Sequence, residues 1–323
     1  YIYSTCTAST AMAGAAMAMA GRIYSDYDKD FADDCLKRAK AVWKYLSKEK
    51  ESIYRVDEGQ ESGSGPYNDT DDATERCWLA AELFRTTGDK KYENYLMKQQ
   101  KNTILQKPSF FTWDNTLALA QFSYGMAANA NHDFQLQVRQ KLVDYANDIA
   151  NTIKNDGYGC SLKAHEYTWA STKNAVTKGD ILLMAYQFEA KPEYIDGALD
   201  QIHYMFGRNA LNKSFMTGMG ENPPEHPHNR IHESTGAYVP GLVVGGPNAV
   251  SGGDPDQTKY IEECKPAPAK CYLDVLMSWS TNEYAIDYNG AGIYALSYFM
   301  QPDKSITAKD LKLNRSFPKW SFE

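Results

Sequence analysis

Apolar residues recur at the spacing of an α-helix through most of the first two thirds of the chain. The apolar residues of segment 26–48 share one helical face: Phe31, Cys35, Leu36, Ala39, Val42 and Leu46. Further helices are predicted over residues 75–86, 91–100, 116–128, 134–155, 178–189, 193–206 and 284–300. Another is predicted over residues 7–23, which are rich in Ala and Met and have small residues on every face. Nearly continuous strand patterning is absent. Consecutive helices joined by short turns favour antiparallel neighbours, so the sequence predicts an all-α fold made of helix pairs.

The helical pattern stops after Arg208. Residues 212–270 are rich in Gly, Pro, Asn and His and show no long periodicity. A loop of this length in a compact protein is usually functional or disordered, and its His, Arg and aromatic content favours function. We therefore predict one domain over residues 1–300, followed by a polar tail over residues 301–323.

Charge and hydropathy argue against two classes of partner. The formal net charge is −7, and the sequence has no long Lys/Arg run. A nucleic-acid or anionic-membrane partner is therefore not expected. The most apolar segment, residues 11–21, is about half the length that a bilayer requires. The chain does have 23 Tyr and 6 Trp, a composition that suits stacking on sugar rings, although we expect most of these rings to pack in the core.

The six cysteines leave the redox compartment open. Cys264 and Cys271 bracket the short loop CKPAPAKC and could form a local disulfide. The remaining four lie in helix-like or glycine-rich contexts, where we expect reduced and buried thiols.

A first group of candidate functional residues lies in the segment SFMTGMGENPPEHPHNR, residues 214–230. Prolines hold its backbone extended: Pro223, Pro224 and Pro227. Alternate residues of an extended segment share a face, so His226, His228 and Arg230 could point the same way and donate hydrogen bonds to sugar hydroxyls. Two alternatives remain open. The H-x-H pair could bind a metal, or the histidines could lie on a surface turn without a shared role.

A second group lies in YLDVLMSWSTNEYAIDYNGAG, residues 272–292. Asp274, Glu283 and Asp287 stand there among aromatic residues. An apolar setting disfavours the charged form of a carboxyl group and raises its pKa, as a general acid requires. Glu283 falls at the start of the predicted helix, where the helix dipole would stabilise the carboxylate instead. Glu283 as a plain helix-start residue is therefore the alternative interpretation.

Both segments resemble the two C-terminal signatures of the family 9 glycoside hydrolases, the inverting cellulases. The first signature is carried by Ser214, Met216, Thr217, Gly220, Asn222, Pro227, His228 and Arg230. The second is carried by Tyr272, Asp274, Trp279, Glu283, Ala285 and Asn289. GLVVGGPN, ERCWLAAELFRTTGDKKY and YTWAST are also similar to family segments, so the resemblance extends to about Met300. It implies an (α/α)6 barrel with a cleft for a β-1,4-glucan and hydrolysis with inversion of configuration.

The resemblance also implies roles for individual residues. Glu283 corresponds to the catalytic acid, and three residues order it or bind sugar hydroxyls: Asp274, His228 and Arg230. The expected substrate-binding residues are Trp169, Tyr288, His226, Tyr67 and Trp113. Some family members bind calcium, for which the expected ligands are Glu75, Asp114, Asp71 and Asp72. A solvated acidic loop is the alternative for these acidic residues, and the chemistry itself is expected to need no cofactor.

One family feature is missing. The base of the family is a pair of aspartates in a D-A-G-D motif, which does not occur in the 323 residues. The nine predicted helices are also fewer than the twelve of an (α/α)6 barrel, so we expect the barrel to lack its N-terminal helices in this chain. A further N-terminal segment or chain could complete it, or another residue could serve as base. The resemblance implies a secreted or cell-surface enzyme. The alternative is a non-catalytic glucan-binding fragment.

Overall fold

The computed structural model describes residues 5–53, 69, 71–250 and 254–300, and within these ranges the ordered backbone is helical. Thirteen α-helices are formed there: α1 Thr7–Ile23, α2 Lys29–Leu46, α3 Ala73–Thr87, α4 Lys90–Lys98, α5 Lys101–Ile104, α6 Leu117–Gly125, α7 His132–Lys154, α8 Ser171–Tyr186, α9 Pro192–Met205, α10 Arg230–Thr235, α11 Pro255–Cys264, α12 Trp279–Asn282 and α13 Ile286–Phe299. Extended backbone in these ranges pairs only as isolated bridges. The all-α prediction is confirmed.

Two boundaries differ from the prediction for physical reasons. Helix α8 begins at Ser171, not at residue 178, because Ala170 takes a left-handed conformation that starts the helix there. Its first turns are polar, although they are buried, so periodicity did not reveal them. Helix α11 lies inside the segment that was predicted as a loop. Asp254 caps it and Pro255 occupies its first position, a common start signal.

The chain forms two compact units, of which the first contains α1 to α5. Helix α1 packs against α2 and α3. The residues of α1 that are buried in this unit are all small: Thr7, Ala8, Ala11, Gly14, Ala15, Ala18 and Gly21. Small side chains let neighbouring helix backbones approach closely, which explains why α1 has an Ala- and Gly-rich sequence. Arg22, at the end of α1, forms a 2.6 Å ion pair with the fully buried Glu82 of α3.

The second unit contains α6 to α13, with α8 at its centre. Every residue of α8 from Ser171 to Ala185 is buried. Helices α7, α9 and α13 pack against α8. Leu182 and Met184 join a core cluster with α7, whereas Val176 joins one with α13. Helix α8 is therefore the buried centre around which the helices of this unit pack.

Two further expectations concern cysteines and membranes. All six cysteines are free thiols in the structure, so the possible disulfide between Cys264 and Cys271 is not formed. Cys264 is exposed at the end of α11, whereas Cys271 is buried. In the described ranges, no helix combines the length and the apolar character needed to cross a bilayer.

The close packing of α1 generates a stability prediction. A Cβ added at Gly14 would lie 2.7 Å from Cγ1 of Val42 and 3.0 Å from Cδ1 of Leu79. We expect Gly14→Val to lower the free energy of unfolding by about 1–3 kcal/mol, because the stiff Val42 side chain must shift. Ala16→Val, at an exposed position of the same helix, should cost only about 0.5 kcal/mol. Urea unfolding measures both; equal losses would contradict this packing.

Candidate active site

Glu283 projects from a short extended segment between two helices. It follows α12 directly, with φ −67° and ψ 145°. Its backbone N–H donates to the Trp279 carbonyl at 2.8 Å, and its own carbonyl accepts from the Gly245 N–H at 2.9 Å. Helix α13 begins only at Ile286. The prediction that Glu283 lies at the start of this helix is therefore wrong. The dipole of α13 acts mainly on its own first turn, so the conflict with a raised pKa is reduced.

His228 lies beside Glu283 through backbone pairing. The two residues form a parallel bridge, and the His228 N–H donates to the Asn282 carbonyl at 2.9 Å. The His228 Nδ1 is 2.7 Å from the Leu276 carbonyl oxygen. Because a carbonyl can only accept, Nδ1 must carry a hydrogen, which leaves Nε2 for a second partner. The imidazole is thus fixed in position and in tautomer next to the carboxyl group.

The surroundings of Glu283 favour its protonated form. Burial raises the pKa of its carboxyl group, and the nearby negative charge of Asp287 raises it further. Two contacts act in the opposite direction: the charge of His228 and a hydrogen bond from the Trp169 side chain both lower the pKa. The net shift is upward because burial is the largest of these effects.

Asp274 is bound by neighbouring groups on both of its oxygens. Lys213 Nζ lies 2.9 Å from Oδ2. The N–H groups of Glu225 and His226 donate to Oδ2 and Oδ1, both at 2.9 Å. Burial raises the pKa of this carboxyl group, but the Lys213 hydrogen bond and the two N–H groups lower it more, so Asp274 stays ionised. It fixes the loop that leads to His228.

Lys213 was missed by sequence reasoning, although it directly precedes the first signature. Its side chain is only 12% exposed. Besides Asp274, Nζ donates to the Pro223 carbonyl at 3.1 Å. Lys213 therefore joins the start of the first signature to its proline-rich part. A lysine adjacent to a recognised motif was the available signal.

The extended backbone expected through His226, His228 and Arg230 is interrupted on both sides of His228, since His226 lies in a bend. The extended backbone ends at Asn229, whose side chain accepts from the Ile231 N–H at 2.8 Å and caps α10. Arg230 is the first residue of that helix and is exposed. The prediction that extended backbone continues through Arg230 is therefore wrong, because a helix cap interrupts it.

The predicted aromatic residues differ in their accessibility. Trp169 and Trp113 are 40% and 42% exposed, so both have ring surface available. Tyr288 is only 7% exposed and packs in the core cluster with Val176 and Ala291. Its predicted contact with sugar would depend on that small remaining surface. Tyr67 lies outside the described residues.

The segment that carries Trp113 is tied to α8 by a buried lysine. Lys173 Nζ donates to the Phe111 carbonyl at 3.0 Å and lies 4.0 Å from the Asp287 carboxylate. Its side chain is 4% exposed, and burial lowers its pKa. Lys173 therefore links the Trp113 segment, α8 and the first turn of α13.

The predicted calcium ligands are divided between the two units, with Asp114 in the second. Asp71 accepts from the Ala73 N–H at 2.8 Å, and Asp72 forms a 2.8 Å ion pair with Arg76. The part of the chain that the structure describes has no group of three or more His, Cys, Asp or Glu residues that could hold a metal. This finding gives no support to the alternative that His226 and His228 bind a metal.

Comparisons with known proteins agree on one family. Residues 1–296 match the family model of Glycosyl hydrolase family 9. The chain is 31% identical over 332 residues to a cellulose 1,4-beta-cellobiosidase of Acetivibrio thermocellus, covering 94% of this chain and 37% of that protein. It is 32% identical over 298 residues to Endoglucanase D of the same organism, covering 91% and 44%.

Structural similarity leads to the same family. The crystal structure of the GH family 9 endoglucanase J30 is similar with a TM-score of 0.87 and 39% sequence identity, covering 91% of this chain and 55% of that one. The chain thus spans between 37% and 55% of the length of these relatives. The resemblance to a family of (α/α)6 barrels, drawn from the motifs, is confirmed. The chain belongs to glycosyl hydrolase family 9.

Proposed function

We propose that this protein hydrolyses β-1,4-glucosidic bonds in cellulose or related β-glucans with inversion of configuration, with Glu283 as the general acid. The observation that carries the proposal is the setting of the Glu283 carboxyl group. It is partly buried beside His228 and Trp169, and its pKa is raised mainly by burial. A carboxyl group that keeps its proton closer to neutral pH can protonate a leaving glycosidic oxygen.

The neighbours of Glu283 suit both states of such an acid. Before the reaction, burial and Asp287 favour the proton. After the proton has moved to the leaving oxygen, the resulting carboxylate is stabilised by the Trp169 hydrogen bond and by any positive charge on His228. The two sets of contacts keep the pKa raised without making proton release prohibitive.

The remaining site residues would bind and orient the sugar. Nε2 of His228 is available for a sugar hydroxyl, since Nδ1 already faces Leu276. Arg230 and His226 are exposed and can donate further hydrogen bonds. Asp274 would act indirectly, by fixing the loop that carries His226 and His228. Trp169 and Trp113 offer ring surface on which a glucose unit can stack.

The names of the relatives support the substrate class. One is a cellulose 1,4-beta-cellobiosidase, and others are endoglucanases. We take a β-1,4-glucan as the substrate of this chain on that basis. Because such a polymer is too large to enter a cell, the proposal places the protein outside the cell or on its surface.

The general base is proposed to come from a further helical segment or chain. The D-A-G-D motif does not occur in the 323 residues. Helix α13 supports this proposal, because two of its apolar side chains and one just after its end are widely exposed: Ile286 at 94%, Ile293 at 67% and Met300 at 69%. An apolar helix face of this kind is typically covered by another element.

Calcium remains a structural proposal without a role in the chemistry. Its support is the burial of two of the expected ligands at the start of α3, Asp72 and Glu75. Among the described residues, the second oxygen of Asp72 has no hydrogen-bond partner. Hard cations such as Ca²⁺ bind oxygen ligands of this type.

Replacing the acid tests the proposal. Glu283→Gln should reduce kcat on cello-oligosaccharides by about 10²- to 10⁴-fold, because the amide cannot donate the proton. Binding of the same oligosaccharides, measured by calorimetry, should change little. The matched control is Glu262→Gln on the exposed surface of α11, which should keep full activity. Hydrolysis by Glu283→Gln near the parent rate would refute the assignment, and binding without any turnover by the parent, when the segment that supplies the base is also present, would favour a glucan-binding role.

The pH profile should respond in opposite directions to two neighbours of Glu283. The acid must be protonated, so kcat falls as pH rises through its pKa. Asp287→Asn removes a negative charge that raises this pKa, and the alkaline limb should move to lower pH. Trp169→Phe removes a hydrogen bond that lowers it, and the limb should move to higher pH. Rate measurements across pH test both, and shifts in the same direction would contradict the account.

The proposal for the base can be tested by addition. Supplying a family segment that carries the D-A-G-D motif, by co-expression, should raise kcat by at least about 10²-fold over the chain alone, since a general base contributes about that much. Asp→Asn changes in the added motif should remove the gain while leaving association intact. Full activity of this chain without the segment would contradict the proposal.

A further inference from the structure

Asp254 lies at the start of α11 and is 2% exposed, yet its carboxylate faces several donors. Oδ2 accepts from the Ser278 hydroxyl at 3.2 Å, the Ser280 N–H at 3.1 Å and the Ser280 hydroxyl at 2.9 Å. Oδ1 accepts from the Gln257 N–H at 3.2 Å and so caps α11. Oδ1 therefore caps helix α11, whereas Oδ2 accepts hydrogen bonds from Ser278 and Ser280, which lie far along the sequence.

Ser278 and Ser280 belong to residues 278–282, which comprise the single turn of helix α12 and the residue before it. We call this segment the 278–282 turn, and it directly precedes Glu283. Its polar side chains are fully buried: Ser278, Ser280, Thr281 and Asn282. They are satisfied within the protein. The Thr281 hydroxyl donates to the Leu273 carbonyl at 2.8 Å, and the Asn282 amide donates to the same carbonyl at 2.7 Å. A buried turn with this many internal hydrogen bonds has few alternative conformations.

The opposite side of the turn is equally constrained. A Cβ at Gly245 would lie 2.3 Å from the Ser280 carbonyl oxygen, so the two backbones touch. The Gly246 N–H donates to the Thr281 carbonyl at 2.9 Å. Asp254 therefore holds one side of the turn while Gly245 and Gly246 fill the other. The position of Glu283 follows from both contacts.

We infer that Asp254 is a positioning residue for Glu283: its carboxylate fixes the 278–282 turn, which places the Glu283 carboxyl group beside His228 and Trp169. Asp254 does not touch the proposed substrate, and it acts only through the turn. This inference deepens the proposed function, because it rests on Glu283 as the proton donor.

The chemistry explains why a carboxylate is needed at this position. Hydrogen bonds from neutral donors to an ionised acceptor are about twice as strong as those between neutral groups. An asparagine has one acceptor oxygen for the four donors that face Asp254. Whichever way its amide turns, its NH₂ group meets the backbone N–H of Gln257 or that of Ser280, and this buried donor then loses its partner.

Asp254→Asn and Ser280→Ala provide a graded test. The first replaces the central acceptor, whereas the second removes one of its donors and leaves the Ser280 N–H in place. The matched control is Asp28→Asn, the same change at the residue that caps α2 in the other unit, where the side chain accepts from the Phe31 N–H. Asparagine is a good N-cap, so this control keeps its helix.

The deciding measurement is the pKa of the Glu283 side chain, obtained by ¹³C NMR titration of carboxyl-labelled glutamate. The Glu283 signal is assigned by its disappearance in Glu283→Gln. His228 and Asp287, the charged groups that face Glu283, remain in every variant. This measurement does not depend on turnover. A failure of the proposed hydrolysis is therefore distinguishable from a failure of the positioning role.

We expect Asp254→Asn to move the pKa of Glu283 toward the ordinary value of about 4.3, because a displaced side chain gains water. Ser280→Ala should produce a smaller shift and Asp28→Asn none. In rate assays, kcat should fall by about 10- to 100-fold in Asp254→Asn with little change in KM, as expected for a misplaced catalytic group.

Two results would overturn the inference. One is a folded Asp254→Asn protein whose Glu283 pKa equals that of Asp28→Asn, which would show that Asp254 only caps α11. If Asp254→Asn does not fold, Ser280→Ala decides, and an unchanged Glu283 pKa in that variant would contradict the positioning role.

Discussion

The candidate site depends on one backbone pairing, between the segment that ends at His228 and the segment that contains Glu283. The hydrogen bond from the His228 N–H to the Asn282 carbonyl joins two signatures that lie far apart in the sequence. Each of the two paired segments is held in place by further contacts. Asp274 and Lys213 hold the loop before His228, and the buried turn before Glu283 is bound to Asp254. Side-chain geometry at the site therefore derives from backbone contacts that leave little freedom.

Two carboxyl groups in this region show how neighbouring groups determine the pKa of a buried acid. Asp274 and Glu283 are both partly buried, and burial raises the pKa of each. Asp274 also receives an ammonium group and two backbone N–H groups, so its pKa ends below the ordinary value. Glu283 receives fewer compensating contacts and faces Asp287, so its pKa ends above it. Two acids whose pKa values are shifted apart are the arrangement expected where one acid anchors a loop and the other transfers a proton.

Much of the fold was predictable because amphipathic helices leave a periodic pattern, and α2, α7 and α9 begin and end close to the predicted residues. Helix α1 was predicted from its Ala- and Met-rich composition instead. Helix α8 was found only in part, since its buried first turns are polar and the helix therefore lacks the usual contrast between an apolar buried face and a polar exposed face. The motifs indicated Glu283, His228 and Asp274 by their resemblance to a family. The burial of Tyr288, the helix start at Arg230 and the roles of Lys213 and Asp254 depend on tertiary contacts, which no local pattern records.

The stereochemistry of the first hydrolysis product tests the central claim most directly. An inverting enzyme attacks with water on the face opposite the acid, and its carboxyl groups stand about 6.5–9.5 Å apart to admit that water. Proton NMR spectra of a cello-oligosaccharide digest, recorded before mutarotation, resolve the anomer formed at the new reducing end. We predict that the α-anomer is released first. Initial release of the β-anomer would show retention and would contradict the proposed mechanism.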